Sequence, residues 1–379
     1  MTYLNRRYVL GGIAAGLVAR PAIGLSVESD IRQRLSQALQ NGKVSGLHAL
    51  LVGRGDDILF EHYGRGEDEV WGRPLGVIDF GPEVLHDVRS ASKSVVGLLY
   101  GIALAAGKVP PPEAKLYEQF PEYRDLATQP GRDRLTIHHA LSMTLGLEWD
   151  ELTLSYDDPR NSDMVMEAAP DRLRFVLERR MVGEPGVKWN YCGGATALLG
   201  RLIAKGYGEP LLTCSRRVLF DPLGFGPAEW TVARDGEARA DSGLRLLPRD
   251  LLKLGKLVLA GASGKDDQIV SAEWIARITR PVVPIDASRS YGYQWYIGGF
   301  PAGSPPQPYH WVGGVGWGGQ YLLLFPKLDL VVTINCGNYH RPLTDQSAVA
   351  RAVLAEVLAI CREAETRQPQ RMQFSVARP

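Results

Sequence analysis

Two pairs of short apolar segments, one near each end of the chain, predict β-hairpins. The first pair spans residues 47–52 and 58–63, and the second spans 320–325 and 330–335. Turn-forming residues separate the two members of each pair. Apolar residues at helical spacing follow the second hairpin, from about 344 to 363. Hairpins flanked by helices indicate an antiparallel sheet that both ends of the chain build together.

The middle of the chain has the apolar spacing of helices joined by loops. Segments 137–143, 171–180 and 196–204 each repeat apolar residues every three or four positions. These segments lie within residues 109–240, which are therefore predicted to be mostly helical.

The patterns together predict an α/β (α+β) protein with two subdomains. Residues 26–108 and 241–365 form a discontinuous α/β subdomain, in which helices flank the antiparallel sheet. Residues 109–240 form an all-helical subdomain, and a cleft is expected where the two meet. Residues 366–379 are polar and without pattern, which predicts a loose C-terminal tail.

The first 25 residues have the pattern of an export signal. Arg6 and Arg7 precede an apolar, Gly- and Ala-rich stretch that runs to about Ala19, and the small residues Ala22 and Gly24 follow. This arrangement resembles a twin-arginine signal and predicts a periplasmic or secreted protein. The apolar stretch is too short for a permanent membrane anchor. The alternative is an N-terminus that merely contains two arginines.

Composition excludes several classes of function. The formal net charge is +1, and basic runs with interleaved aromatic residues are absent, so no nucleic-acid partner is expected. The sequence has no zinc-ligand spacing, P-loop or dinucleotide fingerprint. Its four cysteines are widely spaced, and the favoured interpretation is buried free thiols.

The strongest chemical signal is the quartet that begins at Ser90 and ends at Lys93. The following residues, to Ala103, are apolar on nearly every face, which predicts a fully buried helix. Ser90 then lies at the helix start, where free N–H groups favour negative charge, and Lys93 lies one turn later on the same face. Burial predicts a lowered pKa for Lys93, which makes it a general base beside a nucleophile. The alternative is a serine that only caps the helix.

Tyr191 is the second candidate for the chemistry. It follows the turn-rich segment 185–190 and precedes a helix predicted from about Ala195. A phenol at this junction can project into a cleft, and Lys93 nearby would stabilise a tyrosinate. Tyr191 is therefore predicted to pass a proton to the leaving group. A tyrosine packed at the domain interface is the alternative.

A glycine-rich segment, residues 313–319, opens a predicted strand. So many glycines indicate close backbone approach to another chain segment or to a substrate. A backbone N–H from Gly314, Gly316 or Trp317, together with that of Ser90, predicts an oxyanion hole.

These three motifs, in this order and spacing, resemble the serine β-lactamase and penicillin-recognising superfamily. Over about residues 45–360 the chain is most similar to the branch of β-lactamase-like esterases and 6-aminohexanoate-dimer hydrolases. Segments 86–89, 135–149, 291–295 and 319–321 also carry this similarity. The resemblance implies a β-lactamase/transpeptidase-like fold and an acyl-enzyme mechanism without a metal ion or an organic cofactor.

The second motif departs from the family pattern. The family commonly has Tyr-x-Asn where this chain has Tyr191, Cys192 and Gly193, so an amide that helps to hold the substrate is missing. Cys192 and Gly193 are still expected at the substrate-binding site. Cys192 is expected to fill space rather than to act as a nucleophile, because no partner histidine is placed near it.

The third motif departs as well. The family often has Lys or His before Thr-Gly, whereas no Lys or Arg occurs here between Arg289 and Lys327. Unless His310 or a distant residue replaces that cation, a substrate carboxylate would bind poorly. Trp311 and Trp317 predict an apolar rim, although both could equally belong to the core.

The sequence therefore predicts an exported serine hydrolase that cleaves a small ester or a linear amide. Ser90 is the predicted nucleophile, Lys93 the base and Tyr191 the proton relay. A β-lactamase or D-alanyl-D-alanine carboxypeptidase is the alternative enzyme. The alternative that is not an enzyme is a binding or sensor domain with the same fold.

Overall fold

A computed structural model describes residues 25–41, 44, 46–262, 269–302 and 307–374. Residues 1–24, which carry the predicted export signal, lie outside the described residues. The strands of the described part are β1 (Leu47–Arg54), β2 (Asp57–Tyr63), β3 (Arg65–Val70), β4 (Arg73–Asp79), β5 (His86–Asp87), β6 (Ala228–Trp230), β7 (Leu244–Leu246), β8 (Val283–Pro284), β9 (Arg289–Tyr291), β10 (Tyr296–Ala302), β11 (Gln307–Gly316), β12 (Gln320–Phe325) and β13 (Leu330–Cys336).

The helices of the same residues fall mainly in the middle and at the two ends. They are α1 (Leu25–Gln40), α2 (Ser92–Ala105), α3 (Arg124–Ala127), α4 (Ile137–Leu141), α5 (Ser162–Ala168), α6 (Arg172–Leu177), α7 (Gly193–Tyr207), α8 (Leu211–Ser215), α9 (Pro248–Ala262), α10 (Ala272–Ile278), α11 (Leu343–Gln346) and α12 (Ala348–Phe374). The helices predicted at 137–143, 171–180 and 196–204 correspond to α4, α6 and α7.

The largest sheet has eight strands in the order β2-β1-β13-β12-β11-β10-β9-β8. Each neighbouring pair is antiparallel. The first strand of the chain and the last lie side by side, with Leu51 opposite Thr333 and Val52 opposite Val332. The predicted antiparallel sheet and both predicted hairpins are therefore confirmed.

Both faces of the central strands β1, β12 and β13 are covered, which explains why most of their residues are apolar. Successive side chains in a strand point to opposite faces. Leu50 and Val52 of β1 join a core cluster with α1 and α12, whereas Ala49 and Leu51 join the cluster that contains α2 and α9. Each fully buried leucine or valine contributes roughly 1.5–3 kcal/mol to this packing.

Helix α2 is buried on all sides, as its composition predicts. Gly101 permits close packing against α10, because a Cβ atom at this position would overlap the ring of Trp274. The Trp274 indole nitrogen in turn donates to the Gly97 carbonyl over 2.9 Å. This helix carries the predicted base, so the packing fixes the position of the candidate site.

The C-terminal tail is the part of the fold that the sequence pattern describes wrongly. Residues 366–374 continue α12 rather than forming a loose tail, although Pro369 lies among them. Five of these nine residues are Arg or Gln, which are good helix formers and propagate an existing helix at little cost.

Two further features concern the cysteines and membranes. Cys192, Cys214, Cys336 and Cys361 are all buried and free, as expected. Within the described part of the chain, no helix has the length and apolar character needed to cross a membrane.

Candidate active site

Ser90 lies in a short 3-10 turn, Arg89–Ala91, that leads directly into α2. Arg89 adopts a left-handed backbone conformation, with φ of 48°, which costs an ordinary residue roughly 1–2 kcal/mol. Its guanidinium group is held by Glu69 at 2.6 Å and by Asp87 at 3.2 Å. These ion pairs stabilise the strained turn that presents Ser90.

Lys93 contacts Ser90 as the spacing predicts. Its Nζ lies 3.3 Å from Ser90 Oγ and donates to the Asp241 carbonyl oxygen over 3.1 Å. The Lys93 side chain is 2% exposed, whereas Ser90 is only half-buried. A solvent-accessible hydroxyl therefore rests against a buried amine.

The expected lowering of the Lys93 pKa is wrong. Burial does lower it, but the carboxylates of Asp241, Glu151 and Asp163 outweigh burial and raise the pKa above its ordinary value. Asp241 makes the largest opposing contribution, and its Oδ2 lies 3.7 Å from Nζ. Lys93 is thus an ammonium ion at neutral pH and must lose a proton before it can act as a base.

Tyr191 lies beside this pair but is buried, and it does not line the cavity in front of Ser90. The Lys93 Nζ lies 4.7 Å from the centre of the Tyr191 ring. Burial and the Glu151 carboxylate raise the pKa of Tyr191 well above its ordinary value, and a hydrogen bond with Ser90 only partly opposes them. The expected tyrosinate is therefore wrong, and the hydroxyl is a neutral phenol that can donate a proton.

Glu151 anchors the surroundings of Lys93. Its carboxylate accepts hydrogen bonds from Trp149 Nε1 at 2.8 Å, from the Gly193 backbone N–H at 2.7 Å and from the Tyr156 hydroxyl at 3.0 Å. Three donors on one buried carboxylate offset much of its desolvation cost.

Asp163 lies in the first turn of α5, and its carboxyl group has fewer hydrogen-bond partners than that of Glu151. Its side chain is buried, and its Oδ1 has no hydrogen-bond partner among the described residues. Burial raises the pKa of Asp163 well above its ordinary value, and the nearby carboxylates of Glu151 and Asp241 add to that effect. Asp163 therefore holds its proton to a higher pH than an ordinary aspartic acid does.

The second motif lacks the asparagine that the family commonly has at the position of Gly193, and Asp163 occupies the space of that side chain. A Cβ atom on Gly193 would overlap Asp163 Oδ1 and lie 3.2 Å from Asp241 Oδ2. Asp163 thus occupies the volume that a side chain at position 193 would need, and it brings a polar group there from another helix.

Cys192 and Gly193 do not line the cavity, contrary to expectation. The Cys192 side chain is buried in the core with α7, and burial raises its pKa. The Gly193 N–H is directed to Glu151. Both residues therefore contribute to the packing and hydrogen bonds around the site and do not face the cavity.

The glycines of β11 pack against the turn that carries the nucleophile. A Cβ atom on Gly314 would lie 2.8 Å from Ser94 Oγ, and one on Gly316 would lie 3.0 Å from Arg89 Cβ. The close approach that these glycines permit is therefore to another chain segment. It places the end of β11, and with it Trp317, beside Ser90.

The two tryptophans of this region have different roles. Trp317 lines the same cavity as Ser90, and its indole nitrogen donates to the Tyr339 carbonyl over 2.7 Å. Trp311 faces the other side of the sheet and packs in the core with α1 and α12, so its assignment to the rim is wrong. His310 on the same strand is exposed and does not line the cavity.

The cavity in front of Ser90 measures about 140 Å³. Tyr156 and Trp317 form one wall, with their rings edge to face and 5.0 Å apart. Asp163 and Arg89 also reach the cavity. A half-buried hydroxyl, an adjacent amine and a mixed aromatic and acidic wall can accommodate nucleophilic attack on a small carbonyl compound.

Sequence reasoning missed the three carboxylates Glu151, Asp163 and Asp241. They come from separate loops and from one helix start, so no local spacing connects them. Glu151 lies two residues after the segment 135–149 that carries the family similarity, and this proximity was the one signal in the sequence that could have indicated it.

Comparisons with known proteins identify the family of the chain. The family model described as Beta-lactamase matches residues 31–355. The 6-aminohexanoate-dimer hydrolase of Paenarthrobacter ureafaciens is 24% identical over 325 residues, which cover 80% of this chain and 74% of that protein. Esterase EstB of Burkholderia gladioli is 27% identical over 200 residues, which cover 50% of this chain and 48% of that one.

A solved structure shows the same fold. It is a Bacillus anthracis protein provisionally named as a 6-aminohexanoate-dimer hydrolase, with a TM-score of 0.68 and 18% identity. The match covers 88% of this chain and 82% of that protein.

Proposed function

This chain belongs to the β-lactamase family, and on that basis we propose that it is a serine hydrolase that cleaves a small ester or a linear amide. The observation that carries the proposal is the 3.3 Å contact between Lys93 Nζ and Ser90 Oγ at the floor of an open cavity. Relatives named as an esterase and as an amide hydrolase support the same class of reaction.

The reaction proceeds through an acyl-enzyme. Neutral Lys93 accepts the Ser90 proton while Oγ forms a bond to the carbonyl carbon, and the N–H groups of Ser90 and Trp317 hold the oxyanion. The bond to the leaving alcohol or amine then breaks, and Tyr191 donates a proton to that group and recovers one from Lys93. Water attacks the acyl-enzyme by the reverse sequence and releases the acid.

The charges of the cavity favour an uncharged substrate. Among the described residues that line it, Arg89 and His340 are the basic side chains, and both contact Glu69, at 2.6 and 3.1 Å. A substrate carboxylate would meet basic groups that are already paired, as well as Asp163 and Asp157. An unpaired carboxylate in a closing cleft is costly, so an ester or linear amide is favoured over a β-lactam or a peptide with a free carboxylate.

A panel of three substrates tests this function. The purified protein is incubated with p-nitrophenyl butyrate, a chromogenic cephalosporin and butyryl-p-nitroanilide, an uncharged linear amide. We expect hydrolysis of the ester or the linear amide and no cleavage of the cephalosporin. Rapid cephalosporin cleavage would instead identify a β-lactamase, and no reaction with any of the three would favour a binding or sensor domain.

A further inference from the structure

Two histidines and an aspartate meet in the interior, apart from the Lys93 cluster. His48 comes from β1, Asp68 from β3 and His86 from β5, and all three are buried. His48 Nδ1 lies 2.9 Å from His86 Nε2, which lies 3.8 Å from Asp68 Oδ1. One ligand atom of each residue lies within 4.8 Å of the other two.

The partner of His86 fixes which ring nitrogen faces the cluster as an acceptor. His86 Nδ1 lies 2.8 Å from the backbone carbonyl oxygen of Asp87. A carbonyl only accepts, so Nδ1 carries the proton and Nε2 presents a lone pair. This is the arrangement by which proteins orient a metal-binding imidazole.

Asp68 supplies a negative ligand with spare capacity. Its side chain is 1% exposed, and its Oδ2 has no hydrogen-bond partner among the described residues. The Tyr339 hydroxyl donates to Oδ1 over 3.3 Å. A buried carboxylate oxygen without a partner is costly in a folded protein, and a cation between Asp68 and the two imidazoles would remove that cost.

We propose that His48, Asp68 and His86 form a binding site for a divalent zinc ion. Two imidazole nitrogens and one carboxylate oxygen are a donor set that Zn²⁺ accepts, with a water molecule in the fourth position. A tetrahedral zinc ion with bonds of about 2.0–2.2 Å holds its ligand atoms roughly 3.3–3.6 Å apart. Binding would therefore open the 2.9 Å contact between the two histidines and draw together the atoms that lie up to 4.8 Å apart. Sequence reasoning found no such site because the ligands come from three separate strands.

The surrounding charges permit a cation here. Arg89 and Arg245 are the nearest guanidinium groups, and both are paired with Asp87, at 3.2 and 2.8 Å. Arg89 also pairs with Glu69, and Arg245 with Glu229. Since each positive group already has carboxylate partners, Asp68 remains available to balance the charge of the metal ion.

The proposed site has a structural role and is independent of the proposed hydrolase activity. It joins three strands from three different sheets, β1, β3 and β5. The last of these leads through Val88 and Arg89 into the turn that carries Ser90. Bound zinc would therefore stabilise the fold around the candidate site without contacting Ser90.

The test uses untagged protein that has been stripped with a chelator and dialysed. We expect isothermal titration with ZnCl2 to show one tight equivalent, and ZnCl2 to raise the thermal midpoint. CoCl2 should give the intense visible bands of a four-coordinate site. Asp68→Asn keeps the size of the side chain and removes its charge, and it should weaken zinc binding by at least about tenfold. Glu67→Gln, an exposed neighbour on the same strand, is the matched control and should bind zinc as the wild type does.

Two results would overturn the proposal. Wild-type protein that binds no stoichiometric zinc and shows no visible cobalt bands would make the cluster a hydrogen-bonded part of the core. One tight equivalent that Asp68→Asn retains would assign the metal to other histidines. Circular dichroism identifies any variant that does not fold, and the cobalt spectrum of the wild type decides the question in that case.

Discussion

The ammonium nitrogen of Lys93 lies 3.7 Å from Oδ2 of Asp241, and both side chains are almost completely buried. This ion pair determines when the proposed base is available. A lysine desolvated in an apolar core would be neutral near physiological pH, whereas Lys93 is kept protonated by its carboxylate neighbours. Activity should therefore rise as the pH is raised.

The pH dependence of Asp241→Asn checks the role of this pair. Since an anionic neighbour favours the charged lysine, its removal should lower the pKa of Lys93 and shift the rising limb of kcat/KM to lower pH by at least about one pH unit. The profile is measured with p-nitrophenyl butyrate across neutral and alkaline pH for both proteins. Identical rising limbs in two folded proteins would show that Asp241 does not control the base.

Asp163→Asn should stabilise the protein at neutral pH. The unfolded chain ionises Asp163 at its ordinary pKa, but burial and the neighbouring carboxylates raise the pKa in the folded state. The folded state thus retains a proton that the unfolded state releases, and stability falls as pH rises between the two values. The amide of the variant has no proton to release, so the variant avoids this loss of stability. The loss is at most about 1.4 kcal/mol for each pH unit between the unfolded-state and folded-state pKa values of Asp163.

Urea unfolding at acidic and neutral pH measures the effect. The advantage of Asp163→Asn should vanish below the ordinary pKa of an aspartic acid and grow toward neutral pH. Asp157→Asn, which changes an exposed acid at the same cavity, should show no such trend. A pH-independent difference for Asp163→Asn would mean that Asp163 is ionised in the folded protein.

Tyr191→Phe should affect substrates according to their leaving groups. An alkoxide needs a proton as it departs, whereas p-nitrophenolate leaves without one. We therefore expect kcat for an ethyl ester to fall by about 10²- to 10⁴-fold and kcat for the p-nitrophenyl ester to fall much less. Tyr296→Phe is the control, because its ring packs against Tyr191 at 6.4 Å and has no assigned proton transfer. Equal losses for both esters would exclude the relay.

Arg172 should matter for stability far more than its neighbour Arg174 on the same helix. Arg172 is 2% exposed and pairs with the buried Glu167 at 2.7 Å and with Asp235 at 2.8 Å. Arg172→Met leaves Glu167 partly uncompensated and should cost about 3–5 kcal/mol. The pair of Arg174 with Asp125 is exposed and screened by solvent, so Arg174→Met should shift the urea midpoint far less. Similar urea midpoints for the two variants would contradict this account.

The fold could be predicted from sequence because its signals are local. Mostly apolar strands such as Leu47–Arg54 and Leu330–Cys336 are covered on both faces, and each hairpin contains its own turn residues. The contact between Ser90 and Lys93 was predictable for the same reason, since a helical turn brings positions three apart together.

The electrostatics of the site could not be predicted, because they depend on contacts between distant segments. The burial of Lys93 is visible in its apolar neighbours, and this alone indicates a lowered pKa. The opposite direction results from Glu151, Asp163 and Asp241, which only the folded chain brings together. Trp311 was assigned to the wrong face because the glycines that follow it in β11, at positions 313, 314 and 316, hide the alternation of the strand.

Covalent labelling of Ser90 tests the central claim most directly. A fluorophosphonate forms a bond from phosphorus to Ser90 Oγ and releases fluoride, and mass spectrometry of the digested protein locates the adduct. The account predicts one adduct on the peptide that contains Ser90, no adduct in Ser90→Ala, and full labelling of Ser242→Ala, which removes another hydroxyl from the same cavity. A wild-type protein that is not labelled, or a Ser90→Ala variant that is labelled and still hydrolyses p-nitrophenyl butyrate, would contradict it.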